Sequence, residues 1–253
     1  MGELRVDPLS GLRTLHAGDP PLTPDAADPP RDAAPDLFTR VAARGSHEVL
    51  ELPAPLGELT REQLAAAMVR WRERVAAHAD AKHVHLGAEG DRAELWALDF
   101  VPAAVARERE RCAAYATRTQ GSDLLGDVVQ AEVRRRERLV AYDDEAVLLA
   151  PFASRAPYEL MLVPRTPAPR FEAPGVLGAG LLHRALGALT ARFDGPPPLT
   201  LWVRTAPRGA EHFCWRIDLL PRLQTPGALE LGAGVPSHPV LPEQAAAELK
   251  PLT

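Results

Sequence analysis

The sequence predicts an α+β fold made of two similar halves, and three observations carry that prediction. The same order of elements (strand, helix, strand, strand) is read twice along the chain. The closing strands share a motif, WALDFVP at 96–102 and WRIDLLP at 215–221, so that Trp96 answers to Trp215 and Asp99 to Asp218. The opening strands also match, HEVLELP against YELMLVP. The expected division is a Pro/Asp-rich arm at 1–37, a first half with connecting helices at 38–140, and a second half with a C-terminal helix at 141–253.

Residues 17–36, rich in Pro, Asp and Ala, read as a loop or extended arm, with order expected from near Phe38. His47–Leu52 alternates like a strand, and Pro53, Pro55 and Gly57 break it. Thr60 and Gln63 fit a capping box, in which hydroxyl and amide satisfy helix N-terminal amides reciprocally. Leu64, Met68, Trp71 and Val75 follow at helical spacing and predict one buried stripe. A short strand at His83–Leu86, a Gly-containing turn and a strand over 93–100 complete the first half. The helical connection covers roughly 103–138, with Gly121 and Gly126 bracketing a break; Leu124, Val128 or Val129 and Val133 face inward. In the second half, strands are expected at Tyr158–Val163, 199–205 and 212–220, with a helix at Val176–Phe193. A last helix, Pro242–Lys250, has Pro in its favoured first turn.

Composition narrows the function. The chain has 253 residues, enough for a sizeable core, with 46% hydrophobic and 25% charged residues, as in ordinary globular proteins. A net charge of −5 gives no basic field to recruit nucleic acid or an anionic membrane. Cys112 and Cys214 form no CxxC pair and imply no disulfide framework. No apolar run reaches membrane-spanning length, and MGELRVDPLSG lacks the apolar stretch of a signal peptide, so a cytoplasmic location is expected.

Seven segments then point to a family: RVDPLSG, GSHEVLELP, ALDFVPAAVARERER, SDLLGDVVQAE, APFASRAPYE, IDLLPRL and LELGAGVPSHPVLPEQAAAEL. In that order, and over nearly the whole chain, they resemble galactose-1-phosphate uridylyltransferases. The resemblance implies two fused histidine-triad-like repeats, an antiparallel sheet flanked by helices, and a homodimer. It also implies a nucleotide, nucleotide sugar or sugar phosphate as ligand. Family members carry His-Pro-His-Ser-Gln, whose second histidine takes the uridylyl group covalently. The aligned stretch here is Gly90-Asp91-Arg92-Ala93-Glu94, with Arg92 in the nucleophile's place and Glu94 in the glutamine's. A guanidinium stays protonated and has no lone pair to attack phosphorus, so covalent transfer at this position is lost. No histidine lies between His85 and His183. Metal ligands of the family are also missing: the N-terminal segment has no Cys-x-x-Cys, Pro55 stands where a ligand histidine often follows the first strand, Arg204 replaces a histidine before Thr-Ala-Pro, and Phe213-Cys214-Trp215-Arg216 replaces Phe-His-Trp-His. No zinc, iron or other cofactor is expected.

Each candidate has a functional and a bland reading. Arg92, Arg204 and Arg216 form a phosphate-binding cluster or are scattered surface arginines. His83 and His85, two apart on a strand, ligate a metal, contact a phosphate or are half-exposed strand residues. His47 and His212 are structural histidines or lie near the cleft, and Arg155 is a ligand contact or shapes the entry to the second half. Glu132, where some family members place an iron-binding glutamate, reads as a solvated or salt-bridged helix residue. The four tryptophans read mostly as core. Three functions stay open: a ligand-binding relative with altered or silent chemistry; a non-covalent phosphorylase or hydrolase of nucleotide sugars with Glu94 as base; and a non-enzymatic interaction protein.

Overall fold

The computed structural model describes residues 3–6, 9, 13–16 and 45–253. Eight strands form one antiparallel sheet: β3 (Gly45–Glu51), β4 (His83–Glu89), β5 (Arg92–Leu98), β6 (Leu139–Tyr142), β7 (Ala146–Leu149), β8 (Leu160–Pro164), β9 (Leu199–Arg204) and β10 (Arg216–Pro221). Their order is β3-β5-β4-β9-β10-β8-β7-β6. The repeat read from the sequence is visible in that order. Opening, middle and closing strands of the first half are β3, β4 and β5, and those of the second are β8, β9 and β10. They run opening-closing-middle, then middle-closing-opening, about a seam where β4 pairs with β9. The expected antiparallel sheet flanked by helices is therefore present.

Helix α1 (Arg61–Ala77) begins as the capping box requires: the Gln63 amide donates to Thr60 Oγ1 at 3.2 Å, and the Thr60 amide donates to Gln63 Oε1 at 2.9 Å. Leu64, Met68, Trp71 and Val75 are all buried beneath it. They meet α4 (Ala179–Arg192), which in turn packs on α6 (Pro242–Leu249), and the apolar face of β4 and β5, where Leu86, Ala88, Ala93 and Leu95 point inward. Burying such a stripe on both helices is what fixes them to this side. On the opposite face, α2 (Ala103–Thr119) and α3 (Leu124–Arg135) cover only the second half of the sheet. There Cys112, Leu125 and Val129 pack on Val147, Leu149, Met161 and Val163. No helix among the described residues is long and apolar enough to cross a membrane.

Several expectations are corrected. Gly126 lies inside α3 and donates its amide to the N-cap Asp123 carboxylate at 2.6 Å, so the helical break is confined to 120–123. The closing strand of the second half starts at Arg216 and not at His212, because the Trp215 amide bonds Ala168 O at 2.9 Å, outside the ladder. The β6–β7 hairpin was not anticipated; the Asp143 carboxylate nucleates its turn by accepting from the Glu145 and Ala146 amides. Order also begins earlier than near Phe38. Strands β1 (Glu3–Val6) and β2 (Arg13–His16) pair with each other, and β2 pairs parallel with β11 (Ser237–His238). The expected arm at 17–36 lies outside the described residues. A short helix, α5 (Ala228–Ala233), precedes β11.

Candidate functional site

On the first half of the sheet, the face away from α1 carries no helix among the described residues, and strand alternation decides which side chains it shows. Register places them in cross-strand rows. One row runs His47, Trp96, His85; the next Val49, Glu94, Gly87, Trp202, Asp218; the third Glu51, Arg92, Glu89, Thr200, Leu220. A cavity of about 490 Å³ opens above these rows, lined by His85, Gly87, Glu89, Arg92, Glu94, Trp96, Thr200, Trp202 and Arg222.

The rim is charged and the floor aromatic. Arg92 stands at the β4–β5 hairpin, whose connection is Gly90-Asp91, with Gly90 at φ +55°. Arg92 is exposed and makes no ion pair among the described residues. Glu89 accepts from Thr200 Oγ1 at 2.5 Å and faces Arg222 at 3.9 Å. Glu94 meets His47 Nε2 at 3.2 Å, and the His47 ring stacks on Trp96 with centroids 5.1 Å apart. His85 lies tilted against the other side of Trp96 at 5.7 Å. Burial, with the Arg204 charge adding to it, brings His85 down to about 4, so the imidazole at the cavity wall is neutral at pH 7. Arg155 sits over the Trp202 ring at 4.7 Å, held there by Glu159 and, at 3.6 Å, by Asp218. Burial opposes the Arg155 charge, but those two carboxylates raise its pKa above the ordinary value.

The three arginines expected as a cluster do not converge. Arg204 and Arg216 are directly opposed on β9 and β10, while Arg92 lies four positions away along the strand direction, roughly 13 Å. Directly opposed like charges destabilise a sheet, and Glu108 of α2 resolves the conflict. Its carboxylate accepts from Arg216 and lies 3.5 Å from Arg204, and Arg216 also donates to Asp218 at 2.9 Å. Burial opposes the ionisation of Asp218, yet Arg216, Arg155 and Arg204 outweigh it and hold the carboxyl below its usual range. This network lines a second, narrow cavity of about 60 Å³.

His83 is 2% exposed, and neither ring nitrogen finds a hydrogen-bond partner among the described residues; burial, then His85, Arg204 and Arg170, lower it to about 4. Glu132 is buried and paired with Arg138 at 3.0 Å. Cys112 and Cys214 are buried in the apolar cluster, and burial pushes both thiols up to about 12, which leaves them protonated and unreactive. Among the described residues, no group of three or more His, Cys, Asp or Glu side chains is placed to hold a metal ion. Sequence reasoning missed Trp96, Trp202, Gly87, Thr200 and Arg222. The signal for the two tryptophans was present: each shares strand parity with charged residues, Trp96 with Arg92 and Glu94, and Trp202 with Arg204.

Comparison with known proteins agrees with this architecture. No protein-family model matches the chain. A probable galactose-1-phosphate uridylyltransferase of Drosophila melanogaster is 28% identical over 123 residues, 47% of this chain and 35% of that protein. The ADP-glucose phosphorylase of Arabidopsis thaliana is 24% identical over 162 residues, 60% of this chain and 44% of that protein. The matches thus span less than half the length of these curated relatives. Among solved structures, a galactose-1-phosphate-uridylyltransferase-like protein from Arabidopsis thaliana superposes with a TM-score of 0.78 at 19% identity, covering 100% of this chain and 99% of the other. An Arabidopsis thaliana ADP-glucose phosphorylase with bound ADP-glucose gives 0.77 at 17% identity, covering 99% of each. Partial sequence matches to several galactose-1-phosphate uridylyltransferases accompany a fold that matches end to end, so the chain is similar to these proteins in sequence and shares the fold of the solved structures.

Proposed function

We propose that the 490 Å³ cavity binds a nucleotide, nucleotide sugar or sugar phosphate, and that any turnover avoids a covalent nucleotidyl intermediate at position 92. The observation that carries the reading is Arg92: an exposed guanidinium on the cavity rim, with no carboxylate neutralising it among the described residues. A fixed guanidinium fork matches phosphate oxygens, and it cannot act as a nucleophile. The relative solved with ADP-glucose bound supports the ligand class. In this reading Arg92 and His85 contact the ligand, Arg155 acts through Trp202, and Arg204 and Arg216 hold the sheet beside the cavity. His83, enclosed behind the wall, supports its neighbour His85.

The test is a thermal-shift screen against UMP, UDP-glucose, ADP-glucose and hexose phosphates, with intact mass measured after incubation with UDP-glucose. Selective binding to the native state raises the melting temperature. The expected result is a shift with at least one phosphate ligand, abolished in Arg92→Glu, and no mass adduct. A uridylyl adduct on His47, His85 or any other residue would refute the non-covalent reading. No shift with any probe would refute the binding reading.

A second reading, non-covalent phosphorolysis or hydrolysis, draws on the Glu94–His47 pair. A carboxylate that orients an imidazole at a cavity edge is a proton-accepting pair, so Glu94 acts with His47 rather than alone. Loss of turnover in Glu94→Gln with ligand binding retained supports this assignment, and an unchanged rate removes it.

A further inference from the structure

A hollow of about 360 Å³ lies beside β6, the edge strand of the second half, walled by β6 and by Arg136, Arg184, Lys250 and Thr253. It is not an extension of the cavity. Five strand spacings separate β6 from β4, about 24 Å across the sheet. Arg184 belongs to α4, which packs with α1 on the face away from the cavity. Three cations from three elements meet in the hollow: Arg136 follows α3, Arg184 is on α4, and Lys250 begins the helical turn after α6. All three are exposed, and none makes an ion pair with an Asp or Glu among the described residues. Main-chain oxygens steer two of them: Lys250 Nζ donates to Arg136 O at 3.4 Å, and Arg184 donates to Thr253 O at 3.3 Å. A carboxylate at Thr253 would balance Arg184 alone and leave the other two. Like charges gathered in this way repel one another, in a chain whose net charge is −5. Arg136 adds a backbone cost. It ends α3 in the left-handed region at φ +61°, where glycine is the usual residue.

We infer that this hollow is a second anion site, separate from the cavity, which takes the phosphate chain of a small ligand between Arg136, Arg184 and Lys250. The cations surround a bounded space instead of lining a track, which suits a compact, multiply charged anion better than an extended acidic peptide. Phosphate oxygens accept from guanidinium and ammonium groups alike. The hollow falls within the roughly 300–1,000 Å³ of small-molecule sites, so more than a phosphate chain fits. Tyr142, 58% exposed at the β6 end, offers an aromatic face on which a base can stack. An inorganic oligophosphate and a nucleoside triphosphate share the phosphate chemistry, and Tyr142 tells them apart. The inference stands or falls without regard to what Arg92 binds.

The experiment is calorimetric titration of the full chain with sodium tripolyphosphate, in the wild type, Arg136→Gly, Lys250→Gln and Arg92→Glu. Affinity is expected to fall about tenfold or more in each of the two hollow variants and to change less than about twofold in Arg92→Glu. It should also weaken as salt is raised. Glycine suits the backbone at position 136, so Arg136→Gly is expected to melt no lower than the wild type, and its lost binding is then not lost folding. Lys250→Gln, at an exposed position, repeats the test without touching that backbone. ATP titrated into Arg92→Glu, with and without Tyr142→Ala, identifies the source. Tighter binding than tripolyphosphate that depends on Tyr142 points to a nucleotide, and equal binding points to the phosphate chain alone; both support the site. No binding to the wild type, wild-type affinity in both hollow variants, or a loss confined to Arg92→Glu would overturn the inference. A poly-aspartate peptide that binds where tripolyphosphate does not would overturn the phosphate class and assign the hollow to an acidic peptide.

Discussion

Replacing His83 by leucine removes a buried imidazole whose two nitrogens have no partner among the described residues. A buried polar group without a hydrogen bond costs about 1–3 kcal/mol, so His83→Leu is expected to stabilise the protein at pH 7 by about 1 kcal/mol after imperfect repacking. The pH dependence is the sharper readout. Burial, reinforced by His85, Arg204 and Arg170, lowers His83 from 6.5 to about 4 in the folded chain. Below pH 6.5 the unfolded chain takes up a proton that the folded chain refuses, so stability is present above that pH and is lost as pH falls toward 4. At pH 5 the loss from this one group is about 2 kcal/mol relative to pH 8, from a shift worth ~1.36 kcal/mol per unit. The assay is urea unfolding of wild type and variant at several pH values between those limits, followed by tryptophan fluorescence. The variant curve should be flatter by that amount, so its advantage grows from about 1 kcal/mol at pH 7 to roughly 3 kcal/mol at pH 5. Parallel curves, or a variant less stable than wild type at both pH values, would refute the claim that His83 is held neutral and unpaired.

Three further outcomes are expected. Glu108→Gln leaves Arg204 and Arg216 opposed without their bridging carboxylate and should cost about 3–5 kcal/mol in urea unfolding; a cost under about 1 kcal/mol would show that the network is not holding the two guanidinia. Trp71→Ala empties a site that is 1% exposed between α1 and the sheet and should cost about 3–5 kcal/mol, with unfolding still cooperative by circular dichroism. Arg74, hydrogen-bonded to Glu48 at 2.8 and 2.6 Å, outweighs the opposing effect of burial and, with His78, brings the Glu48 carboxyl from 4.5 down to about 2. Its contribution is complete above pH 4.5 and lost as pH falls toward 2, so Glu48→Gln should flatten acid unfolding in that window; an unchanged acid limb would remove Glu48 from the account.

What was legible in the sequence was local. The Thr60 capping box and the stripe from Leu64 to Val75 each depend on residues three or four apart, and both appear as read. The β6–β7 hairpin escaped because its strands are buried on nearly every residue, and a continuous apolar run lacks the alternation that marks a strand. Gly126 was read as a break, since glycine is a poor helix former, but in the first turn its amide satisfies the N-cap. The site was less legible because its pairings are long-range. Glu108 and Arg216 are joined by chain topology, and nothing local in either segment announces the other. The expected arginine cluster had the right residues for phosphate and the wrong geometry: parity alone puts all three on one face, while register separates Arg92 from the other two.

The asymmetry between the two halves explains why the cavity lies where it does. Both halves present the same strands in mirrored order, so both offer an equivalent sheet face. In the second half α2 and α3 occupy that face, and the polar residues under them are neutralised by pairing: Arg204 and Arg216 with Glu108, and Arg155 with Glu159 and Asp218. The row Val49, Glu94, Gly87, Trp202, Asp218, Met161 crosses from one regime to the other. It starts at a valine 47% exposed and ends at a methionine 4% exposed in the covered cluster. Trp202 stands at the change-over, with the ion network behind it and open space over Gly87 before it. Charges locked in pairs hold an aromatic wall in place, which is a positioning role, whereas Arg92 at the rim makes no ion pair among the described residues, which is why the proposed ligand contact is assigned to it. The division of labour among the arginines therefore follows from which half of the sheet the helices cover.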